Sequence, residues 1–350
     1  MEIKIIIGIP TYNRHETILR RLNEIESFGN LISGVVICDN SDTEDIKVST
    51  YCETHKNWHY FKNSSNIGGG ANFLRVIENA GEGTHLWWRG DDDPITKEQV
   101  NALINAPLLL NELLILKPGK TPYFTDNGLE SFSYHFNEIQ SMGWLSMVVL
   151  PIDLAKRSLK YGYWGIHTGW ANVALILGLF KVHPDLVFHT VPFEMKEGDF
   201  REVGQAAGQS WAFFNTCIKN FVLTANLIDN KKIKNLYLRK WRDTQNFRYL
   251  GTMIRIRVGM GNQESFTFRT FSPLLSLQNP NKFFLFFILY SFSKLPRFLS
   301  RLTLIFWAKT QPVSTLENFG ISYLKDKSSI WTKYNRLKSG MIQEVNLTFL

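Results

Sequence analysis

Between Lys4 and Pro94 the sequence repeats one pattern: a short apolar run that ends abruptly in polar turn residues. Lys4–Pro10, Gly34–Cys38 and His85–Trp88 are such runs, and Trp58–Phe61 is strand-like. Unbroken apolar runs of this length suit strands buried on both faces. Between them, Glu16–Phe28 places Ile18, Leu22 and Ile25 at helical spacing, Asp42–Glu53 has helical character, and Phe73–Ala80 turns Phe73, Leu74 and Ile77 inward. Strand alternating with helix predicts an α/β fold with a mostly parallel, doubly wound sheet. In such sheets ligands sit beyond the carboxyl ends of the strands. The polar residues fall at those ends: Thr11-Tyr12-Asn13-Arg14, Asp39-Asn40-Ser41-Asp42 and Asp91-Asp92-Asp93.

Beyond Ser141 the pattern changes. Leu145–Leu150 reads as a strand, Trp170–Phe180 as a buried helix, Lys196–Gln209 as a glycine-bearing loop and Trp211–Ile228 as a helix. Charge divides the same way. The last 150 residues hold 22 of the 39 Lys and Arg but only 7 of the 31 Asp and Glu. Two regions are therefore expected: residues 1–205, and a basic, mainly helical region over 206–350. Basic surface attracts nucleic acid, anionic lipid or phosphorylated substrates. Cys38, Cys52 and Cys217 form no CxxC pair, which suits a reducing compartment. The run IIIGIP lacks the features of a secretory leader and is expected to be a strand. The expected location is the cytoplasm, at the inner face of the cell membrane.

Three stretches occur in a telling order: IGIPTYNR (7–14), VVICDNSD (35–42) and LWWRGDDDP (86–94). Together they resemble the first strand and turn, the second-strand acid and the DxD region of inverting family-2 glycosyltransferases of the GT-A type. The GDDD form is similar to the branch that builds bacterial surface polysaccharides, abequosyltransferase-like enzymes among them. The resemblance covers roughly residues 3–200. It implies a nucleoside-diphosphate sugar as donor and a glycan or lipid-linked glycan as acceptor.

A diphosphate needs a cation both to bind and to leave. Mn2+ or Mg2+ takes hard oxygen ligands and keeps room for phosphate when the protein supplies only one or two carboxylates. Asp93 is expected as direct ligand, Asp91 as ligand or as a contact to ribose or sugar, and Asp92 as shared between these tasks. The bland alternative is a solvated acidic turn ahead of a helix over Thr96–Leu103. Asp39 can accept the N3–H of a pyrimidine base, or act as a turn or cap residue. Pro10, Thr11 and Tyr12 are expected to line the nucleotide. Arg14 either approaches it or pairs with an acid. Asn66 and Gly68 precede a helix, where backbone amides can meet phosphate; a plain tight turn is the alternative.

Direct displacement at the anomeric carbon also needs a group that takes the acceptor proton. The family's Glu-Asp pair is missing here, which leaves His167, Asp153, Glu194 and Asp199 as alternative bases. His167, in GIHTGW, stands where the resemblance places the base, although a lone histidine can be merely structural. Trp87 and Trp88 read as core; Trp144, Trp164 and Trp170 are candidates for stacking on an acceptor sugar. His55 and His59 lack a third ligand for zinc.

The run FFLFFILY (283–290) is too short to span a bilayer. A helix after Pro296 would set Arg297 and Arg301 apart from Leu295, Leu299, Leu302 and Phe306, a surface suited to anionic lipid. A packed helical subdomain or a homo-oligomer interface is the alternative. No motif favours nucleic acid. Two rivals stand beside the transferase: a sugar-nucleotide nucleotidyltransferase, whose glycine-rich loop after the first strand is lacking, and a non-catalytic membrane-associated scaffold.

Overall fold

The computed structural model describes residues 2–194, 220–241, 295–311, 313, 316 and 322–338. The expectations for Lys196–Gln209, for 283–290 and for the first half of Trp211–Ile228 fall outside them, as do Asp199 and Cys217.

Four parallel strands form one half of an eight-stranded sheet. They are β1 (Ile5–Thr11), β2 (Gly34–Asp39), β3 (Trp58–Lys62) and β4 (His85–Trp88). Every residue of β1, β2 and β4 is buried, as their uninterrupted apolar character requires. The remaining strands are β5 (Leu113–Pro118), β6 (Phe124–Asn127), β7 (Val148–Pro151) and β8 (Val187–Phe193), and the order is β3-β2-β1-β4-β7-β5-β8-β6. Strand β7 runs antiparallel to both β4 and β5, and β6 antiparallel to β8, so the sheet is mixed.

The chain crosses from β1 outward through β2 to β3, then returns to the other side of β1 as β4. That reversal lies between β1 and β4. Strand β1 pairs with β4 only as far as Gly8↔Trp88 but continues against β2 to Thr11↔Asp39. Pro10 and Thr11 therefore extend past the end of β4, and a crevice opens there. Pro10, which lacks an N–H, falls where the ladder to β4 has stopped.

Helices α1 (His15–Glu26), α2 (Ile46–Glu53), α3 (Gly69–Glu78) and α4 (Lys97–Ile104) link these strands. Helix α1 buries Ile18, Leu22 and Ile25, the predicted face. The Asp45 carboxylate caps α2 by accepting from Lys47 N and Val48 N, and Thr96 with Gln99 closes a capping box on α4. Helix α3 begins earlier than the sequence suggests: Gly69 and Gly70 are its first turn, and Gly68 before it has φ +83, a conformation suited to glycine. After the short α5 (Gly128–Tyr134) and α6 (Phe136–Ile139) come α7 (Ile152–Gly165) and α8 (Ala171–Val182). Helix α8 is buried from Ala171 to Phe180, in keeping with its lack of a polar face. Truncating one of its leucines should cost roughly 2–5 kcal/mol.

The chain divides into two compact units, Met1–Gly204 with Leu223–Trp241, and Gln205–Val222 with Arg242–Leu350. The short turn α9 is Phe221–Thr224, and α10 spans 231–241, holding the basic Lys231–Lys234 run. In the second unit α11 (Arg297–Thr310) and α12 (Ile330–Lys338) pack around Leu304, Ile305, Ala308, Leu324 and Leu337. Among the described residues no helix is long and apolar enough to cross a membrane.

Candidate active site

The turn after β1 is shaped by Asn13, whose φ of 53 lies in the left-handed region that Asn tolerates. Its N–H donates to Ser41 Oγ at 2.8 Å, tying this turn to the one after β2. Arg14 follows at the N-cap of α1 and reaches across to the turn after β4. Its Nη1 lies 2.6 Å from Asp91 Oδ1 and 3.1 Å from Asp92 Oδ2. Thr11 Oγ1 donates to the other oxygen of Asp91 at 2.9 Å. Tyr12 is half-exposed beside them.

Asp91, Asp92 and Asp93 all lie at or below 8% exposure, so they are not the solvated acidic turn that was the bland alternative. Burial pushes the Asp91 carboxyl up to about 6, against the opposing pull of Arg14 and Thr11. Asp93 Oδ2 accepts from Trp144 Nε1 at 3.0 Å and from Ser146 Oγ, whereas Asp93 Oδ1 is buried with no hydrogen-bond partner among the described residues. A Cβ on Gly90 would stand 2.7 Å from Asp93 Oδ2, so a larger residue there pushes that carboxylate aside. Ser146 Oγ also accepts from Gly90 N at 2.8 Å. Beneath the turn the guanidinium of Arg89, 1% exposed, donates to the carbonyls of Asp93 (3.1 Å), Pro94 (2.5 Å) and Ser146 (3.3 Å). Burial lowers the Arg89 pKa to about 10, partly offset by Asp93.

Next to β1, Asp39 ends β2 with both oxygens engaged. Oδ1 accepts from Ser41 N at 2.8 Å and Ser41 Oγ at 2.5 Å, and Oδ2 accepts from Tyr60 OH at 2.6 Å. Tyr60 OH in turn accepts from Asp45 N at 3.1 Å, and Asp45 Oδ2 lies 2.5 Å from His15 Nδ1. Thr11, Arg14, His15, Asp39, Ser41 and Tyr60 are among the residues lining a small cleft at these strand ends. Buried amides fix its floor: Asn72 Nδ2 donates to Thr11 O (3.2 Å) and Cys38 O (2.9 Å), while Asn63 Nδ2 donates to Asn40 Oδ1 and Asn72 Oδ1, both at 2.8 Å. The Asn66 side chain accepts from Gly68 N at 2.9 Å, a local turn contact.

Do these residues suit a divalent cation? Among the described residues no group of three or more His, Cys, Asp or Glu is arranged to hold one. The unpartnered Asp93 Oδ1 and the desolvated Asp91, which has Arg14 as its counter-ion, are hard oxygen donors. They fit a cation whose remaining ligands come from phosphate and water.

The three candidate bases among the described residues scatter. Asp153 is a correction: because β7 is antiparallel to β4, with Pro151 opposite His85, Asp153 begins α7 at the far end of the sheet from the acidic triplet. Glu194 follows β8 at the correct end, but β8 is three strands from β4, about 14 Å at ordinary strand spacing. Its exposed side chain pairs with Lys120 at 3.4 Å. Asp199 lies outside the described residues. His167 is exposed in a 3-10 turn and meets the edge of Trp164 at 5.1 Å. That turn is at the site end, since a Cβ on Gly70 would lie 3.5 Å from Ile166, and Asn172 Nδ2 bonds Met142 O at 3.0 Å just ahead of Trp144. Trp144, half-buried, has a task the sequence did not suggest: its indole N–H donates to Asp93. Tyr60, Ser146, Arg89 and the His15–Asp45 pair went unnoticed in the sequence. For Tyr60, the half-exposed alternation of β3 was the available signal.

Residues 6–108, spanning β1 to β4 and the acidic turn, match the family described as Glycosyl transferase family 2. The class of protein this defines is a glycosyltransferase. Among solved structures, S. aureus TarS residues 1–349 in complex with UDP is 12% identical, with a TM-score of 0.47, covering 96% of this chain and 90% of that one. A mannosyltransferase from Pyrobaculum calidifontis, PcManGT in complex with GDP-Man and Mn2+, is 12% identical with a TM-score of 0.41, covering 97% and 84%. No curated protein matches the sequence.

Proposed function

We propose that this protein transfers a sugar, with inversion, from a nucleoside diphosphate to a hydroxyl of a bacterial surface glycan, with help from Mn2+ or Mg2+. One observation carries the proposal. The ends of β1, β2 and β4 bring Thr11, Arg14, Asp39 and the Asp91–Asp93 triplet to one crevice, inside the region matched by the family.

Each side chain then has a defined task. Asp39 is an acceptor whose remaining lone pairs take the N3–H of a pyrimidine base, while Ser41 and Tyr60 hold it in place. Asp91 and Asp93 would hold the cation, which when bound stabilises charge on the departing diphosphate. Arg14 supplies a further positive charge beside the diphosphate. His167 takes the acceptor proton. The surface-glycan acceptor rests on the likeness of the GDDD turn to polysaccharide-building enzymes.

Helix α11 suits a role at an anionic membrane surface, where a lipid-linked acceptor would lie. Its Leu299 and Phe306 are 38% and 53% exposed, and Arg297 and Lys309 are exposed near its two ends. The proposed location is the inner face of the cell membrane.

The test is a titration with UDP-, GDP-, dTDP- and CDP-sugars with and without Mn2+, following nucleotide binding and slow donor hydrolysis. Metal-assisted binding or hydrolysis of at least one donor is expected. Neither effect with any donor contradicts the proposal.

A further inference from the structure

We infer that Arg14 is a displaceable internal counter-ion: in the nucleotide-free protein its guanidinium holds Asp91, one of the two carboxylates proposed for the divalent cation, together with Asp92, and it gives Asp91 up when cation and diphosphate arrive together. The inference rests on the proposed function and adds a regulation to the same site.

The geometry is that of a bridging cation. One nitrogen, Arg14 Nη1, contacts Asp91 Oδ1 at 2.6 Å and Asp92 Oδ2 at 3.1 Å. Thr11 Oγ1 donates to Asp91 Oδ2, so both oxygens that Asp91 could offer a metal are already engaged, one of them by a positive charge. A guanidinium and a divalent ion on the same carboxylate repel each other strongly in a poorly solvated turn, so each weakens the other's hold on Asp91.

Arg14 is built to leave. Its side chain is 29% exposed, while the Asp91 and Asp92 side chains are 11% and 12% exposed. Its backbone stays anchored independently, since its carbonyl accepts the first helical bond from Ile18 N at 3.0 Å. The head group can therefore swing on its long stem without disturbing α1. Charge also favours a joint exchange. A divalent cation and a diphosphate bearing two ionised phosphates bring no net charge, so the cluster is equally compensated before and after. The released guanidinium then meets phosphate oxygens, which it can pair bidentately. A cation arriving alone has no such return, and must expel Arg14 into water.

The consequence is mutual dependence. Mn2+ binds weakly without nucleotide, nucleotide binds weakly without Mn2+, and each tightens the other by the same factor. The experiment is a titration of Mn2+, read by the electron paramagnetic resonance of the free ion, on the wild-type protein, Arg14→Met and Arg14→Lys. Each is measured alone and with saturating UDP or GDP, and far-UV circular dichroism confirms the fold. Without nucleotide, Arg14→Met should bind Mn2+ about tenfold more tightly than wild type, as removing a neighbouring like charge implies. Arg14→Lys, a point charge without the fork, should fall between them. The coupling between Mn2+ and nucleotide should shrink in the same order. Should Arg14→Met fail to fold, the same direction in Arg14→Lys carries the test. Equal Mn2+ affinity in all three proteins, with nucleotide binding still assisted by Mn2+, overturns the counter-ion and leaves the transferase standing. No Mn2+ binding to any of them, with or without nucleotide, overturns both.

Discussion

Trp144 donates its indole N–H to the carboxylate of Asp93 across 3.0 Å, joining the segment ahead of β7 to the acidic turn after β4. Ser146 holds the same oxygen and also accepts from Gly90 N. The triplet is thus positioned from outside its own turn. Trp144→Phe should lower kcat/KM about tenfold with the fold intact, the ordinary cost of losing one hydrogen bond to a charged group. Ser146→Ala removes two contacts and should cost more. Steady-state kinetics beside circular dichroism checks both; an unchanged kcat/KM in Ser146→Ala would show that Asp93 needs no such support.

Gly90 leaves no room for a methyl group, with Asp93 Oδ2 2.7 Å and Asp92 Oδ1 3.1 Å from where a Cβ would stand. Gly90→Ala should displace both carboxylates and abolish transfer, while the far-UV spectrum remains that of the parent. Retained activity would mean the turn relaxes at little cost.

The Asp91 carboxyl, raised to about 6 by burial, makes a signed forecast. In the nucleotide-free protein the folded state binds a proton more tightly than the unfolded one, so this group's contribution to stability declines as pH rises from about 4 through 6. Asp91→Asn, which cannot ionise, should therefore raise the melting temperature at pH 7 while destroying activity. Metal-assisted nucleotide binding by the parent should fall below about pH 6 as Asp91 takes up its proton. A thermal melt and a pH series of nucleotide binding test both halves.

Tyr60 braces Asp39 from the neighbouring strand. Tyr60→Phe leaves the ring and removes the hydroxyl, so donor KM should rise about tenfold with little change in kcat, the pattern of a group that acts on binding alone. A fall in kcat without a change in KM would assign Tyr60 a different task.

His167 and Asp153 separate cleanly by position. His167→Gln should lower kcat by roughly 10²–10⁴ without weakening nucleotide binding, as loss of a general base does. Asp153→Asn, at the opposite end of the sheet, should leave transfer unchanged.

Much of this was legible because β1, β2 and β4 are buried on both faces, and so write themselves as largely apolar runs, the first two ending in Thr11 and Asp39 and the third running into the turn that holds Asp91. Strand direction is not written in a single sequence. Nothing in Val148–Pro151 shows that it runs against β4, and that alone moved Asp153 away from the site. Strand β6, Phe124–Asn127, reads as a turn because half of it is Asp and Asn, and β8 carries Pro192 near its end. The supports of the triplet were hidden for another reason. Trp144 and Ser146 lie more than fifty residues from Asp93, and a tryptophan near a sugar site invites a stacking role before a hydrogen-bonding one.

The most direct measurement is anomalous diffraction from crystals grown with Mn2+ and a nucleoside diphosphate. A manganese peak is expected about 2.1 Å from carboxylate oxygens of Asp91 or Asp93 and from the diphosphate, with the base against Asp39. Manganese bound elsewhere, or a nucleotide lying away from both Asp39 and the triplet, would contradict the assignment of this crevice.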